Sequence, residues 1–430
     1  MACQPNHNLQ PIHKTTFANG LRIVSSNMPH SHSVTIAVFV GVGSRYESED
    51  QIGISHFLEH LLFKGTTNIP SPADISATIE DVGGSLNAGT EEELTTYWCK
   101  VPKHHFKISI DLLLDMLRNS LFQSSSIAKE RTVVIEELNM IHDYPSYQIE
   151  SLLDDMLWPN HPLGRDIGGT TDSLSKLSRP KIVDFFEEYY IPSNIVISVA
   201  GDLDHENIID HIMDKSKNWA NIDNKSYLPF NDNQSQPRTR VSYRKTEQAN
   251  ISLGIPSVPY NSQRKYALDL LSVLLGEGMS SRLFVEMREN KGLAYDVHSS
   301  TSYFLDCGAF IINAGVEPKN LYDSVQIILD QIGQLKHDVT ETEINKARRT
   351  LIGRLLIHLE DTSSLAFYMG TQEILQGVIT SPNTLIDTIS KVTLEEVRRI
   401  AADLFVSSKL NLGVVGPFRG KRRLENILHL

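Results

Sequence analysis

Residues 101–117 read VPKHHFKISIDLLLDML, and residues 316–332 read VEPKNLYDSVQIILDQI. Laid over each other at an offset of 215, half of the 430-residue chain, Val101 falls on Val316, Leu114 on Leu329 and Asp115 on Asp330. The apolar residues keep step throughout, as two copies of one amphipathic helix would. The same offset lays LSRPKIVDFFEEYY (177–190) on VTLEEVRRIAADLF (392–405), and NIVISVAGD (194–202) on KLNLGVVGP (409–417), pairing Gly201 with Gly416. Three matches at one offset point to an internal duplication and so to two similar domains. The stretch WANIDNKSYLPFNDNQSQPRTR, rich in Asn, Asp, Gln, Ser and Pro, has a linker's composition. The expected division is residues 1–218, a linker over 219–240, and residues 241–430.

Within each half, short alternating β-branched runs (SVTIAVFV and NIVISVAG; ANISLGI and GAFIINAG) mix with longer helical patterns (HHFKISIDLLLDMLRN; YDSVQIILDQIGQL). The strands come in hairpin-like groups as well as between helices. That predicts an α+β fold, twice over, each domain a mainly antiparallel sheet packed with helices rather than a regular βαβ winding.

Composition narrows the function. With 40% apolar residues the chain can bury a real core, and a formal charge of −12 disfavours a phosphate backbone as partner. No nucleic acid is expected; the one basic cluster, Arg419 to Arg423, is too small to change that. Cys3, Cys99 and Cys307 are odd in number and lack CxxC spacing, so neither a disulfide framework nor a thiolate metal site is suggested. No stretch reaches 18 apolar residues and the first fifteen residues lack a targeting pattern, so no membrane span is expected.

The chemistry concentrates in GISHFLEHLLFKGT, residues 53–66. On a helix, positions i and i+4 stack on one face, so His56 and His60 can present ring nitrogens to one tetrahedral ion, with Glu59 leaning over the same side. This HxxEH order reverses the commoner HExxH signature. Buried His and Glu on an apolar helix cost free energy unless a metal or hydrogen bonds satisfy them. Two imidazoles leave the ion short of a third protein ligand. AKERTVVIEELNMIHD, residues 128–143, is a helical pattern holding Glu130, Glu136 and Glu137. Glu130 and Glu137 share a face, while Glu136 is turned by about 100° from Glu137. Glu137 is therefore taken as the ligand, and Glu130 as the residue behind it that orients or polarises the catalytic group. At the 215 offset, His56, Glu59 and His60 fall on Leu271, Leu274 and Leu275, and Glu137 on Ile352, or on Arg354 if the alignment slips by two. The second half keeps the scaffold without the ligands.

These residues resemble the pitrilysin or mitochondrial-processing-peptidase-like metallopeptidases, the inverzincins, in a short two-domain form. The resemblance runs from about Lys14 to Gly416 through NGLRIV (19–24), VGSRYE (42–47), GGSLNAGT (83–90), ERTVVIEEL (130–138), HPLGRDIGGT (161–170) and GMSSRLFVEMRENKGLAYDV (278–297). It implies one zinc per chain bound by His56, His60 and Glu137, with Glu59 as general base, hence a zinc endopeptidase or oligopeptidase acting on peptides. It also implies that GGSLNAGTEEELTTYW presents an edge strand that receives the substrate as an added strand, with Asn87 and Ala88 facing its backbone. Arg288 and Tyr295 match the family's Arg/Tyr pair, donors to the oxyanion of the tetrahedral intermediate.

Long relatives carry four such domains in one chain. A chain with only two, yet both motifs, is expected to form a C2 homodimer in which the metal residues of one subunit face Arg288 and Tyr295 of the other, inside a clam-shell chamber. Broad clearance of extended peptides in a bacterial cytoplasm, rather than work in a mitochondrial matrix, is the first expectation. A presequence-processing peptidase and a catalytically silent assembly subunit are the alternatives. Intact His56, Glu59, His60 and Glu137 argue against the last.

Overall fold

The computed structural model describes residues 11–220 and 226–430. Cys3, and residues 221–225 near the start of the expected linker, lie outside the described residues.

The first half of the chain forms strands β1 (Ile12–Thr16), β2 (Arg22–Asn27), β3 (Ser33–Val40), β4 (Ser85–Thr90), β5 (Thr95–Pro102) and β6 (Ile195–Gly201). Its helices are α1 (Ile54–Leu62), α2 (Pro72–Glu80), α3 (Phe106–Asn119), α4 (Ser124–His142), α5 (Pro145–Leu157), α6 (Thr171–Lys176), α7 (Arg179–Tyr189) and α8 (His205–Lys215). The second half forms β7 (Arg238–Tyr243), β8 (Ala249–Ser257), β9 (Ala294–Tyr303), β10 (Gly308–Val316) and β11 (Asn411–Gly416). Its helices are α9 (Lys265–Gly276), α10 (Leu321–Gln334), α11 (Glu341–His358), α12 (Thr362–Gln376), α13 (Pro382–Lys391), α14 (Leu394–Leu404) and α15 (Arg422–Ile427).

The duplication holds in three dimensions. The first sheet has the order β1-β2-β6-β3-β5-β4 and the second β7-β11-β8-β10-β9, so the second repeats the first without β1. Each contains one parallel pair, β2 with β6 and β7 with β11, and is otherwise antiparallel. The pairs α3/α10 and α7/α14 begin and end at the 215 offset that the sequence shows. The α+β expectation is met.

The division into contiguous halves is not what the contacts give. Of the described residues, one compact unit comprises 11–138, 166–220, 226–228 and 356–384, and the other Asn139–Arg165, Pro229–Leu355 and Leu385–Leu430. Each half of the chain lends one helix to the other unit. In the first unit, α12 lies on β3 and β6, where Ser198 Oγ donates to the Ala366 carbonyl at 2.7 Å and Thr35 Oγ1 meets Thr362 Oγ1 at 2.9 Å. In the second, α5 packs on β8 and β11, and its Leu153, Met156 and Leu157 are buried with Phe304 and Ala309. Amphipathic periodicity says that such a helix needs an apolar sheet face, and both sheets offer one, so the pattern does not choose between them. The linker is also shorter than 219–240. Arg238–Arg240 belong to β7, while the Leu228 carbonyl accepts from Arg45 Nη2 at 3.0 Å and the Tyr227 ring lies 4.1 Å from the same guanidinium.

In the first unit the apolar face of α1 packs into the core: Ile54, Phe57, Leu58 and Leu62 are fully buried. The Glu47 carboxylate accepts from the Gly53 N–H at 2.7 Å and the Ser55 N–H at 2.8 Å, satisfying donors that the helix start leaves open. Gly53 has φ +87°, and a Cβ there would lie 2.7 Å from the Gly168 carbonyl, so this start requires glycine on two counts. α1 is thereby held in one position at its amino end.

Candidate metal centre

On α1 the spacing of His56 and His60 brings the two Nε2 atoms to 3.2 Å, with the rings edge to face. α4 crosses nearby and delivers Glu137, whose Oε2 lies 3.4 Å from His60 Nε2 and 4.0 Å from His56 Nε2. One ligand atom from each of these residues falls within 4.8 Å of the other two. Corners of a zinc tetrahedron with Zn–N bonds of 2.0–2.1 Å are about 3.3 Å apart, so the residues present fit such an ion.

Glu130, about two turns back along α4, is 5% exposed and receives His60 Nδ1 at 2.9 Å on one oxygen and Lys64 Nζ at 2.8 Å on the other. That contact fixes which nitrogen of His60 is left to face Glu137, the arrangement that orients metal-binding histidines. Glu136 is not part of the group that converges here.

Glu59 is held from another direction: its Oε2 accepts from Thr90 Oγ1 at 2.6 Å. Thr90 is the last residue of β4, the outermost strand of its sheet. Asn87 and Ala88 lie on that edge strand, and Asn87 Oδ1 accepts the Ala88 N–H at 2.8 Å.

Burial and charge set the protonation of the group. Burial, together with the neighbouring His60 charge, pushes His56 down to about 4, against the opposing pull of Asp166, so its imidazole is neutral at physiological pH. Burial also pulls His60 down, but the Glu130 hydrogen bond and the carboxylates of Glu59 and Glu137 outweigh it and raise His60. Burial raises Glu59, more than Thr90 and His60 lower it. Burial acts upward on Glu130 too, yet its bonds to His60 and Lys64 leave it below the usual carboxylate range.

In the second unit, Arg288 lies near the end of a π-helical segment, Phe284–Asn290, and Tyr295 is the second residue of β9, after Gly292 turns the chain. The Arg288 guanidinium lies 4.7 Å from the Tyr295 ring and donates to the Tyr295 carbonyl at 3.1 Å, so the two residues are in direct contact. Leu271, Leu274 and Leu275, at the positions equivalent to His56, Glu59 and His60, are buried in the core around α9. Among the described residues, no second metal-binding group accompanies the first.

Thr90 and Lys64 were not singled out by sequence reasoning. Lys64 follows His60 by four residues and could have been placed on its face of the helix. Thr90 sits within GGSLNAGT but touches Glu59 only through sheet-to-helix packing, which no local spacing encodes.

Residues 22–171 match the family described as Insulinase (Peptidase family M16), and residues 176–351 match the Peptidase M16 inactive domain. An uncharacterized zinc protease of Streptomyces coelicolor is 35% identical over 423 residues, 97% of this chain and 92% of that protein. The uncharacterized zinc protease YmxG of Bacillus subtilis is 35% identical over 408 residues, 94% of this chain and 98% of its own. In fold, a protease from Helicobacter pylori superposes with a TM-score of 0.89 at 24% identity, covering 95% of this chain and all of the other. The chain belongs to peptidase family M16, the pitrilysin-like zinc peptidases, in its short two-domain form. The half that matches the inactive domain includes the leucines that stand where the first half has its metal residues. No helix among the described residues is long and apolar enough to cross a membrane.

Proposed function

We propose that this chain is a zinc-dependent endopeptidase or oligopeptidase that cleaves extended, unstructured peptides. The observation that carries the reading is the convergence of His56, His60 and Glu137 beside a carboxylate, Glu59, that is tied to the end of an edge strand. In this reading His56, His60 and Glu137 hold one zinc ion per chain. Zinc, when bound, supplies a Lewis acid and lowers the pKa of water to near 7. Glu59 takes the proton of the attacking water and passes it to the leaving amine, a task suited to a carboxyl raised by burial. A peptide laid along β4 as an added strand, its backbone meeting Asn87 and Ala88, would bring a carbonyl to Glu59 at the Thr90 end. Backbone pairing of that kind favours extended chains over folded proteins.

The same proposal includes a C2 homodimer, in which Arg288 and Tyr295 of one copy donate to the oxyanion formed at the metal residues of the other. Tyr295 is 76% exposed, which suits a residue that serves a second chain.

The test is hydrolysis of an unstructured, internally quenched peptide by the wild type and Glu59→Gln, with bound zinc counted in both. Cleavage by the wild type alone, abolished by chelator and restored by zinc, with about one zinc per chain in both proteins, supports the reading. Zinc bound but no cleavage by either protein moves the chain to a silent assembly role, and no zinc in either removes the metal site.

A further inference from the structure

His60 has Glu130 on the ring nitrogen that faces away from Glu137. His56 has no such partner: its Nδ1 is buried and makes no hydrogen bond. Metal-binding histidines almost always donate that second N–H to a carboxylate or carbonyl, which fixes the tautomer and aims the other nitrogen at the ion. A buried, unsatisfied ring nitrogen therefore marks a missing half of the site.

The loop 166–170 runs under the start of α1 and supplies what surrounds this atom. The position that a Cβ would take on Gly168 is 3.5 Å from His56 Nδ1 and 3.5 Å from Asp166 Oδ1, and 2.5 Å from a Leu138 methyl. A side chain at 168 would thus displace Leu138 and separate the imidazole from the carboxylate. Asp166 Oδ1 accepts the Gly168 N–H at 3.0 Å, which anchors the carboxylate at the residue that lies against the ring. A carboxylate has about four lone-pair sites, so holding that N–H leaves capacity for an imidazole N–H.

We propose that Asp166 is the positioning residue of His56: a small shift of the two side chains about Gly168 lets its carboxylate receive the Nδ1–H and turn Nε2 toward the metal, the part that Glu130 plays for His60. The inference rests on the zinc reading given above. It makes the HPLGRDIGGT segment part of the metal centre, with Gly168 as the residue that lets the two groups approach.

The test compares zinc affinity, by competition with a chromophoric chelator, for the full-length wild type, Asp166→Asn, Asp166→Ala and Glu130→Gln, with melting of each zinc-free protein as the check on folding. The Asn variant keeps an oxygen for the Gly168 N–H but offers an amide donor to Nδ1, which drives the ring proton onto Nε2 and blocks ligation. Its affinity should fall about 10–100-fold, as expected for loss of such a partner, and at least as far as that of the Ala variant. A zinc affinity for Asp166→Asn within about twofold of wild type, while Glu130→Gln is weakened, overturns the proposal and leaves the zinc site standing. A wild type that binds no zinc overturns the site itself. Should the Asn variant fail to fold, the nitrogen NMR signals of His56 in the zinc-free wild type decide: a proton on Nδ1 supports the assignment, and one on Nε2 refutes it.

Discussion

Thr90 Oγ1 lies 2.6 Å from Glu59 Oε2, joining the last residue of an edge strand to the carboxylate that stands between two histidines on a neighbouring helix. The distance is that of a charge-assisted O–H···O⁻ bond. It means that the edge strand proposed to receive a peptide and the carboxylate proposed to take the proton share one contact, which fixes their relative placement.

That bond carries a kinetic consequence. Hydrogen bonds to charged groups contribute roughly 1.5–3 kcal/mol, and without the Thr90 hydroxyl the Glu59 carboxylate keeps its burial but loses its orientation. Thr90→Val should lower kcat about 10–100-fold with little change in KM, because the backbone of β4 is untouched, and Thr90→Ser should restore most of it. Steady-state kinetics on a quenched peptide read the split. A Val variant with wild-type kcat shows that Glu59 is held by other means.

His56, Glu59 and His60 were legible because a helix places i and i+4 together, and Glu130 and Glu137 because they sit seven apart on one helix face; both rules are local. The repeated sheet order was foreshadowed by the 215 offset for the same reason, since each element carries its own periodicity. The exchange of α5 and α12 was not legible: amphipathicity demands an apolar partner without naming it. Thr90 meets Glu59 across 31 positions and Gly168 lies against His56 across 112, and such strand-to-helix and loop-to-helix contacts leave no spacing to read.

If Arg288 and Tyr295 serve the metal residues of a second copy, two inactive variants should rescue each other. Glu59→Gln lacks its base, and Arg288→Ala with Tyr295→Phe lacks the donors, the loss of one such donor alone typically costing 10²–10³ in rate. Mixed in equal amounts and allowed to exchange, half the dimers carry one intact site, so activity should return to about a quarter of wild type. Sedimentation would establish that both variants are dimeric. No recovery from dimeric, exchanging variants means that each chain builds its site without its neighbour.

The buried carboxylate of Asp269 on α9 should make the stability of the second unit depend on pH. Burial pushes it up to about 6 from 3.8, although Tyr303 at 2.6 Å and Thr301 at 3.1 Å both donate to its Oδ1 and Lys265 also lowers it, while Glu277 raises it. A pKa raised in the folded state contributes stability that is fully present below the unfolded value and is lost as pH rises through the folded one. Between about pH 4 and pH 6, ionisation of Asp269 should therefore remove on the order of 2–3 kcal/mol. Asp269→Asn keeps an oxygen that can accept from both hydroxyls but never ionises. Its melting temperature should run close to wild type near pH 4 and rise above it by pH 7, with most of the divergence between those values. Parallel curves across that range would show that Asp269 stays ionised in the folded chain, its two hydroxyl donors and Lys265 outweighing burial.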